Sequence, residues 1–347
     1  LSSLGDIDLS EIKSRALRVY AEKLGGMPRR DKNKEIFSGC VTIDDFLDCV
    51  EKFEIPEEGI SSVKSIEVSH ISPIKAFINW ANKEYVDEMN GRILPNIEID
   101  FLCAVVKNRQ LNNRVMTESE LKAVFEGEAM RKASQENEEL YWLAHILLLT
   151  GMRVSEPLLI NPHFDIQHKD GVYFFDLNEK SKKEGNGVGS IKNGSGRVIP
   201  IRNDLIRLGF LNYVEDIKGR RKDCGNVFNT LFPRIAACGK PNSAAGRKIR
   251  LLFGSAGVLV QDVESVGDIE GSIRGAHAIR KTFNTMAITA NEGSRALIED
   301  VLGHLNGGSS VNKRDYDGGR PISQRVKAIN ALSYDLRFHK TKYAKDE

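Results

Sequence analysis

The sequence predicts a mainly α-helical protein with one small antiparallel β-sheet, organised as two domains. Three observations carry this expectation. Apolar residues recur at helical spacing through most of the chain, strand-like alternation is confined to about 164–201, and a polar, basic stretch, "KNRQLNNR", interrupts the pattern at 107–114. At 347 residues the chain exceeds the usual size of one small domain. A helical module over 1–112 and a mixed module over 113–347 are the expected division.

The first module begins with "DIDLSEIKSRALRVYAEKL", which sets Ile12, Ala16, Val19 and Leu24 near one helical face. "TIDDFLDCVEKF" follows, with Thr42 as a cap ahead of an acidic first turn. In "SPIKAFINWANKEYVD", Ser72 is placed to cap, Pro73 suits a first turn, and Ile74, Phe77, Ile78 and Ala81 form a stripe. The intervening "GGMPRRDKNKEIFSG" and "EIPEEGISSVKS" read as loops.

The second module opens at Thr117, with Glu120 three residues later to complete a capping box. The run "LYWLAHILLLTGM" is shorter than the roughly 20 residues of a spanning helix and contains His145, so it reads as a buried helix. "FDIQHKDGVYFFDL" alternates about an Asp-Gly turn, and "GRVIPI" supplies another strand. Helical spacing returns in "NDLIRLGFLNYVEDI", in the stretch around His277, in "SRALIEDVLGH" and in the tail "ISQRVKAINALSYDLRF". That tail, about 320–340, carries a stripe of Ile322, Val326, Ile329, Leu332 and Leu336.

Composition narrows the class. Hydrophobic residues at 41% and charged residues at 28% are ordinary for a globular chain. Fifty basic against 48 acidic residues give a net charge of +2, so the placement of charge, not its sum, must decide affinity for a polyanion. The five cysteines are odd in number, widely spaced and without a CxxC, which argues against a disulfide framework or a zinc site and fits a reducing, intracellular setting. No signal peptide or lipidation motif is evident. The chain opens on Leu1 instead of Met, as a trimmed chain would.

Four stretches of the second module set basic or imidazole groups beside elements that otherwise read as buried. In "LLLTGMRVSEPLLI", Arg153 interrupts two apolar runs with Glu156 one turn on, placed to hold it. In "SIKNGSGRVIPI", Lys192 lies in a glycine-rich turn and Arg197 starts a strand. In "GAHAIRKTFNTMA", His277 and Arg280 at i and i+3 project from one side of a helix. In "DVLGHLNGGSSVNKRDYDGG", His304 follows a helix end, and Tyr316 stands in a polar, glycine-rich segment near Lys313 and Arg314.

Paired carboxylates and metal-ligand spacing are missing from this set, which suits covalent phosphoryl exchange better than metal-assisted hydrolysis; no cofactor or metal is expected. A tyrosine hydroxyl, with a pKa of about 10, needs nearby cations and a base before it attacks. Guanidiniums hold nonbridging phosphate oxygens and stabilise the charge of a pentacoordinate transition state. A lysine can protonate the departing sugar oxygen.

In this order, "TGMRVSE", "IKNGSGRVIPI", "HAIRKTFNT" and "VLGH" followed by Tyr316 resemble the tyrosine recombinases, the phage integrase family of DNA breaking and rejoining enzymes. The resemblance covers roughly 114–320, and the preceding helical module resembles that family's core-binding domain. It implies that Arg153 is the first catalytic arginine supported by Glu156, Lys192 the general acid, His277 and Arg280 the H-x-x-R pair, His304 the late phosphate contact, and Tyr316 the nucleophile that becomes linked to a DNA 3′-phosphate. The His304 to Tyr316 interval is about three residues longer than the family's usual one, which leaves Tyr334 and Tyr343 as alternatives; Lys180, Lys182 and Lys183 compete with Lys192.

Further implications of the resemblance are a C-shaped clamp around duplex DNA, backbone contacts from "KNRQLNNR" and from "GRKIRLLF" at 246–253, and a homo-tetramer on paired recombination sites with room for accessory DNA-bending proteins. The tail stripe suits packing on a neighbouring protomer or within its own subunit equally. A cytoplasmic, nucleoid-associated enzyme is expected. A type IB topoisomerase and a DNA-binding relative without turnover are the competing readings.

Overall fold

The computed structural model describes residues 12–25, 27–29, 35–41, 45, 49, 61, 63–85, 87, 91, 93–97, 114–177, 196–220, 230–258, 273, 275–291, 295–303 and 321–344. The chain divides into two units, Leu1–Gln110 and Leu111–Glu347, each with its own apolar core.

In the first unit, helix α1 (Ser14–Gly25) buries Leu17, Ala21 and Leu24, one face at i, i+4 and i+7. Val19, expected on that face, is exposed. Helix α2 (Val63–Ile66) passes through a π-helical turn, Glu67–Ile71, into α3 (Ser72–Glu84). Ser72 is therefore not a cap, because its N–H bonds the Glu67 carbonyl within one continuous helical run. Pro73 gives the reason: it has no N–H, its ring crowds the carbonyl four residues back, and a wider turn just before it relieves both. Ile66, Ile71, Ile78 and Ala81 face the core, whereas Phe77 is exposed and packs at a tilt against Trp80. The expected cap Thr42 lies outside the described residues. The Cys40 and Cys49 sulfurs lie 3.3 Å apart.

The second unit opens with α4 (Glu118–Phe125), whose capping box forms from Thr117 and Glu120 as their spacing requires. Helix α5 (Glu128–Glu136) leads into α6 (Glu138–Thr150), buried from Tyr141 to its end. A helix apolar on every side belongs at the centre of a core, and α6 sits there. No described helix is long and apolar enough to cross a membrane. Gly151 ends α6 at φ 65°, and a Cβ there would lie 2.3 Å from the Phe283 ring.

The short helix α7 (Glu156–Leu159) precedes the sheet. Strands β1 (Ile166–Lys169) and β2 (Val172–Asp176) pair antiparallel, with Lys169 opposite Val172. Asp170 and Gly171, at φ 51° and 76°, form the expected two-residue turn. Strand β3 (Val198–Pro200) joins the far edge of β2, giving the order β1-β2-β3.

The segment expected as one helix after β3 is two, α8 (Asn203–Arg207) and α9 (Phe210–Arg220), because Gly209 turns at φ 90° between them. Helices α10 (Pro233–Ala236), α11 (Pro241–Ser255), α12 (Ala276–Ala290), α13 (Arg295–Leu302) and α14 (Ile322–Asn330) follow. Helix α12 packs along α6.

The tail departs from expectation. Helix α14 stops at Asn330, and 332–341 is not helical. Leu332 is buried, Tyr334, Leu336 and Phe338 pack on the core, and Ser333, Asp335 and Arg337 point outward, a two-residue alternation in place of the helical stripe. The Tyr334 hydroxyl donates to the Leu148 carbonyl at 2.9 Å, and Arg202 donates to the carbonyls of Ile329 and Leu332. The tail thus packs within its own subunit.

Candidate active site

The site grows from three chain ends that meet beneath α12. The C-terminus of α6 delivers Gly151 and Arg153, the start of β3 delivers Arg197, and the last turn of α13 delivers the carbonyls of Val301 and Leu302. Glu156, the first residue of α7, lies among them and is almost wholly buried.

Among the described residues, four N–H groups donate to Glu156. Arg197 forks onto it, with Nη1 to Oε1 at 3.0 Å and Nη2 to Oε2 at 2.8 Å. Arg153 donates its backbone N–H to Oε2 at 2.7 Å and Nη1 to Oε1 at 3.1 Å. Burial pushes the Glu156 carboxyl up, but the hydrogen bonds and charge of Arg197, the Arg153 amide and the charge of Arg280 more than offset it, so the group is held below its ordinary range. It is an anion at neutral pH.

The expected pairing of Glu156 with Arg153 is present, yet its two-pronged partner is Arg197, which the sequence marked only as the start of a strand. A signal for Arg197 was there: it shares alternate positions with Ile199 and Ile201, both buried, so the face that buries them also buries the guanidinium. Its Nε donates to the Val301 carbonyl at 2.7 Å.

Arg280, also buried, projects from the first turn and a half of α12 and donates to the carbonyls of Gly151 and, at 2.7 Å, Leu302. Burial is the main cause that lowers its pKa, to about 10, followed by the charge of Arg153; Arg197 adds to the effect and Glu156 opposes it. It stays a cation at neutral pH. His277 lies one turn before Arg280 and reaches solvent. Partial desolvation and then the charges of Arg280, Lys281 and Arg153 hold its imidazole below the ordinary histidine range, in its neutral form.

Among the described residues, three guanidiniums therefore gather about one carboxylate, a formal excess of two positive charges. Arg197 and Glu156 are sealed, whereas the Arg153 side chain remains 25% exposed. An anion with several free oxygens, such as a phosphodiester, complements that excess.

Of the residues singled out from the sequence, Arg153, Glu156, His277 and Arg280 come together, and Lys192, His304 and Tyr316 lie outside the described residues, as do Lys180, Lys182 and Lys183. The two alternative tyrosines are occupied elsewhere: Tyr334 by Leu148, and Tyr343 by hydrogen bonds to Glu138 and Asp216. Burial, and for Tyr343 these carboxylates, push both phenols up, away from phenolate formation. Arg114, within the basic stretch expected to meet DNA, is instead buried in a two-pronged bond to Glu120. On α11, Arg247 and Arg250 are exposed and carry no ion pair with another described residue.

The chain is similar to solved structures of site-specific recombinases and integrases. One is XerH site-specific recombinase bound to difH substrate in a pre-cleavage complex, at 17% identity and a TM-score of 0.45 over 72% of this chain and 61% of that one. Another is an integrase from mycobacterium phage Brujita, at 11% identity and a TM-score of 0.39 over 96% and 93%. A third is a lambda integrase dimer bound to a COC' core site, at 14% identity and a TM-score of 0.38 over 84% and 95%. This chain spans about three fifths of the XerH chain. No family model and no curated protein matches it.

Proposed function

We propose that this chain is a site-specific DNA recombinase of the tyrosine recombinase type, which cleaves and rejoins duplex DNA through a covalent 3′-phosphotyrosine link. The observation that carries this reading is the excess of guanidinium charge over Glu156 at a place where Arg153 and His277 reach solvent. Arg153 and Arg280 hold the nonbridging oxygens of the scissile phosphate and stabilise the added charge of the transition state. Neutral His277 donates or accepts a proton at the same phosphate.

Tyr316 attacks phosphorus, the bond to the 5′-oxygen of the next deoxyribose breaks, and Lys192 protonates that leaving oxygen. His304 completes the phosphate contacts. These three roles rest on sequence position. Reversal of the step by a 5′-hydroxyl from another strand rejoins DNA with no external energy source. Duplex DNA carrying specific sites is the partner, four copies assemble on paired sites, and Arg247 and Arg250 add backbone contacts.

A nicked suicide duplex tests the reading. The wild-type chain is expected to form a covalent complex stable to denaturing electrophoresis, and Tyr316→Phe to bind the duplex without forming it. An adduct that survives Tyr316→Phe moves the nucleophile elsewhere. Relaxation of supercoils without joining of two specific duplexes would favour the topoisomerase reading, and binding with no adduct from wild type the inactive one.

A further inference from the structure

Arg197 occupies a position that no role assigned above requires. It is sealed from solvent, and its charge is matched by the Glu156 carboxylate, onto which it forks. Its connections nonetheless run to both arginines that hold the phosphate in the proposed reaction. Through Glu156 Oε1, which its Nη1 shares with Nη1 of Arg153, it fixes the carboxylate that orients Arg153. Through Nε it holds the Val301 carbonyl, next to the Leu302 carbonyl that receives Arg280.

Gly303 closes the arrangement. At φ 67° it adopts a conformation that favours glycine, and a Cβ there would stand 3.0 Å from both Cδ and Nη1 of Arg197. The turn at the end of α13 therefore rests on the flat side of the guanidinium, with His304 as its next residue in sequence. A lysine has the charge to pair with Glu156 but neither the fork nor the Nε donor.

We propose that Arg197 is a positioning residue: it sets Arg153 through Glu156 and Arg280 through the Val301–Gly303 turn, so that two cations meet one phosphate at a fixed separation. The mechanistic part of this inference rests on the recombinase reading; the positioning itself does not.

Two readouts separate the inference from that reading, with Arg197→Lys as the variant and Arg114→Lys as its control. The Arg114 side chain is as buried as that of Arg197 and forks likewise onto a carboxylate, that of the more open Glu120, with no hydrogen bond to Arg153, Glu156 or Arg280. The first readout uses free protein. In Arg197→Lys the side-chain Nε–Hε nuclear magnetic resonance signals of Arg153 and Arg280 are expected to shift or broaden, while Arg114→Lys leaves them in place. Unmoved signals for both residues in a folded Arg197→Lys protein overturn the proposal, whether or not DNA is cut.

The second readout is single-turnover adduct formation on the nicked duplex. Arg197→Lys is expected to slow it about 100-fold with duplex Kd changed less than about threefold, the pattern of misplaced catalytic groups. Arg114→Lys lowers the melting temperature without slowing the step. Equal rates in Arg197→Lys and wild type reduce Arg197 to a stabilising role. Should Arg197→Lys fail to fold, Gly303→Ala, which keeps every charge and presses a methyl on Arg197, is expected to shift the same two signals; unmoved signals there overturn the proposal equally. Absence of an adduct from wild type would count against the recombinase reading and leave the resonance result to decide the positioning.

Discussion

Arg280 is the residue whose identity the structure constrains most tightly. Its two terminal nitrogens reach two different carbonyls, Gly151 and Leu302, a planar two-pronged arrangement that the single ammonium of a lysine does not reproduce. Arg280→Lys is expected to reduce single-turnover cleavage by about 100- to 1,000-fold, the usual loss for one transition-state donor, while the duplex Kd changes little. His145 makes a different kind of statement. It is wholly buried beside Tyr141, Phe125 and Phe338, its Nδ1 meets the Tyr141 carbonyl, and its Nε2 has no hydrogen-bond partner among the described residues. Burial lowers its pKa to about 4, with a smaller contribution from His339. The unfolded chain then takes up a proton near pH 6.5 that the folded chain refuses until about pH 4. The neutral imidazole's contribution is thus complete above about pH 6.5 and lost as pH falls towards 4, at most about 3 kcal/mol. Urea titrations at pH 7.5 and 5 check this. Wild type should lose more stability over that interval than His145→Leu, and parallel losses would sink the idea.

Elements, not single groups, bring the cluster together, and two of them, α6 and α13, end on a glycine in the left-handed region. Gly151 stops α6 in the left-handed region, turns the chain so that Arg153 follows, and offers its carbonyl to Arg280. Gly151→Ala forces a strained φ and drives a methyl into the Phe283 ring and a Leu302 methyl. A loss of about 2–4 kcal/mol is expected, measured as a lower urea midpoint with unchanged slope. The sequence made this region legible because "TGMRVSE" sets Gly, Arg and Glu at a helix end after an unbroken apolar run. It was less legible where two periods overlapped. Ile329, Leu332 and Leu336 fit a helix, but Leu332, Tyr334, Leu336 and Phe338 fit alternation equally well, and packing against α4 and α6 chose the second. Ser72 failed for a related reason: a serine before proline signals a helix start, whereas here the π-turn carries the helix through. Arg197 was missed because a basic residue at a strand start reads as surface unless the face it shares is followed to Ile199 and Ile201.

At the scale of the molecule, the two apolar cores share no described residue, and the segment 332–344 belongs to the second. Leu17, Ala21, Ile66, Ile78 and their neighbours form one core; α4 to α14 and the tail form the other. The tail is bound along its length: Tyr141 donates to the His339 carbonyl, Arg337 and His339 bond Glu126, and Tyr343 meets Glu138, Asp216 and Arg220. Gly209 admits this path, since a Cβ there would lie 2.1 Å from the Tyr343 carbonyl oxygen. A fragment of residues 111–347 should therefore fold alone, with one cooperative urea transition whose midpoint matches the later of two in the full chain. A fragment ending at Asn330 should not: it removes Leu332, Leu336 and Phe338 from the core they cover and strips Arg202 and Tyr141 of acceptors. Circular dichroism of the two fragments decides. A stable, cooperative 111–330 fragment would mean that the tail is dispensable to its own subunit and free to serve another, whereas its collapse only when residues 331–347 are removed ties the fold of the arginine cluster to the chain's last turn.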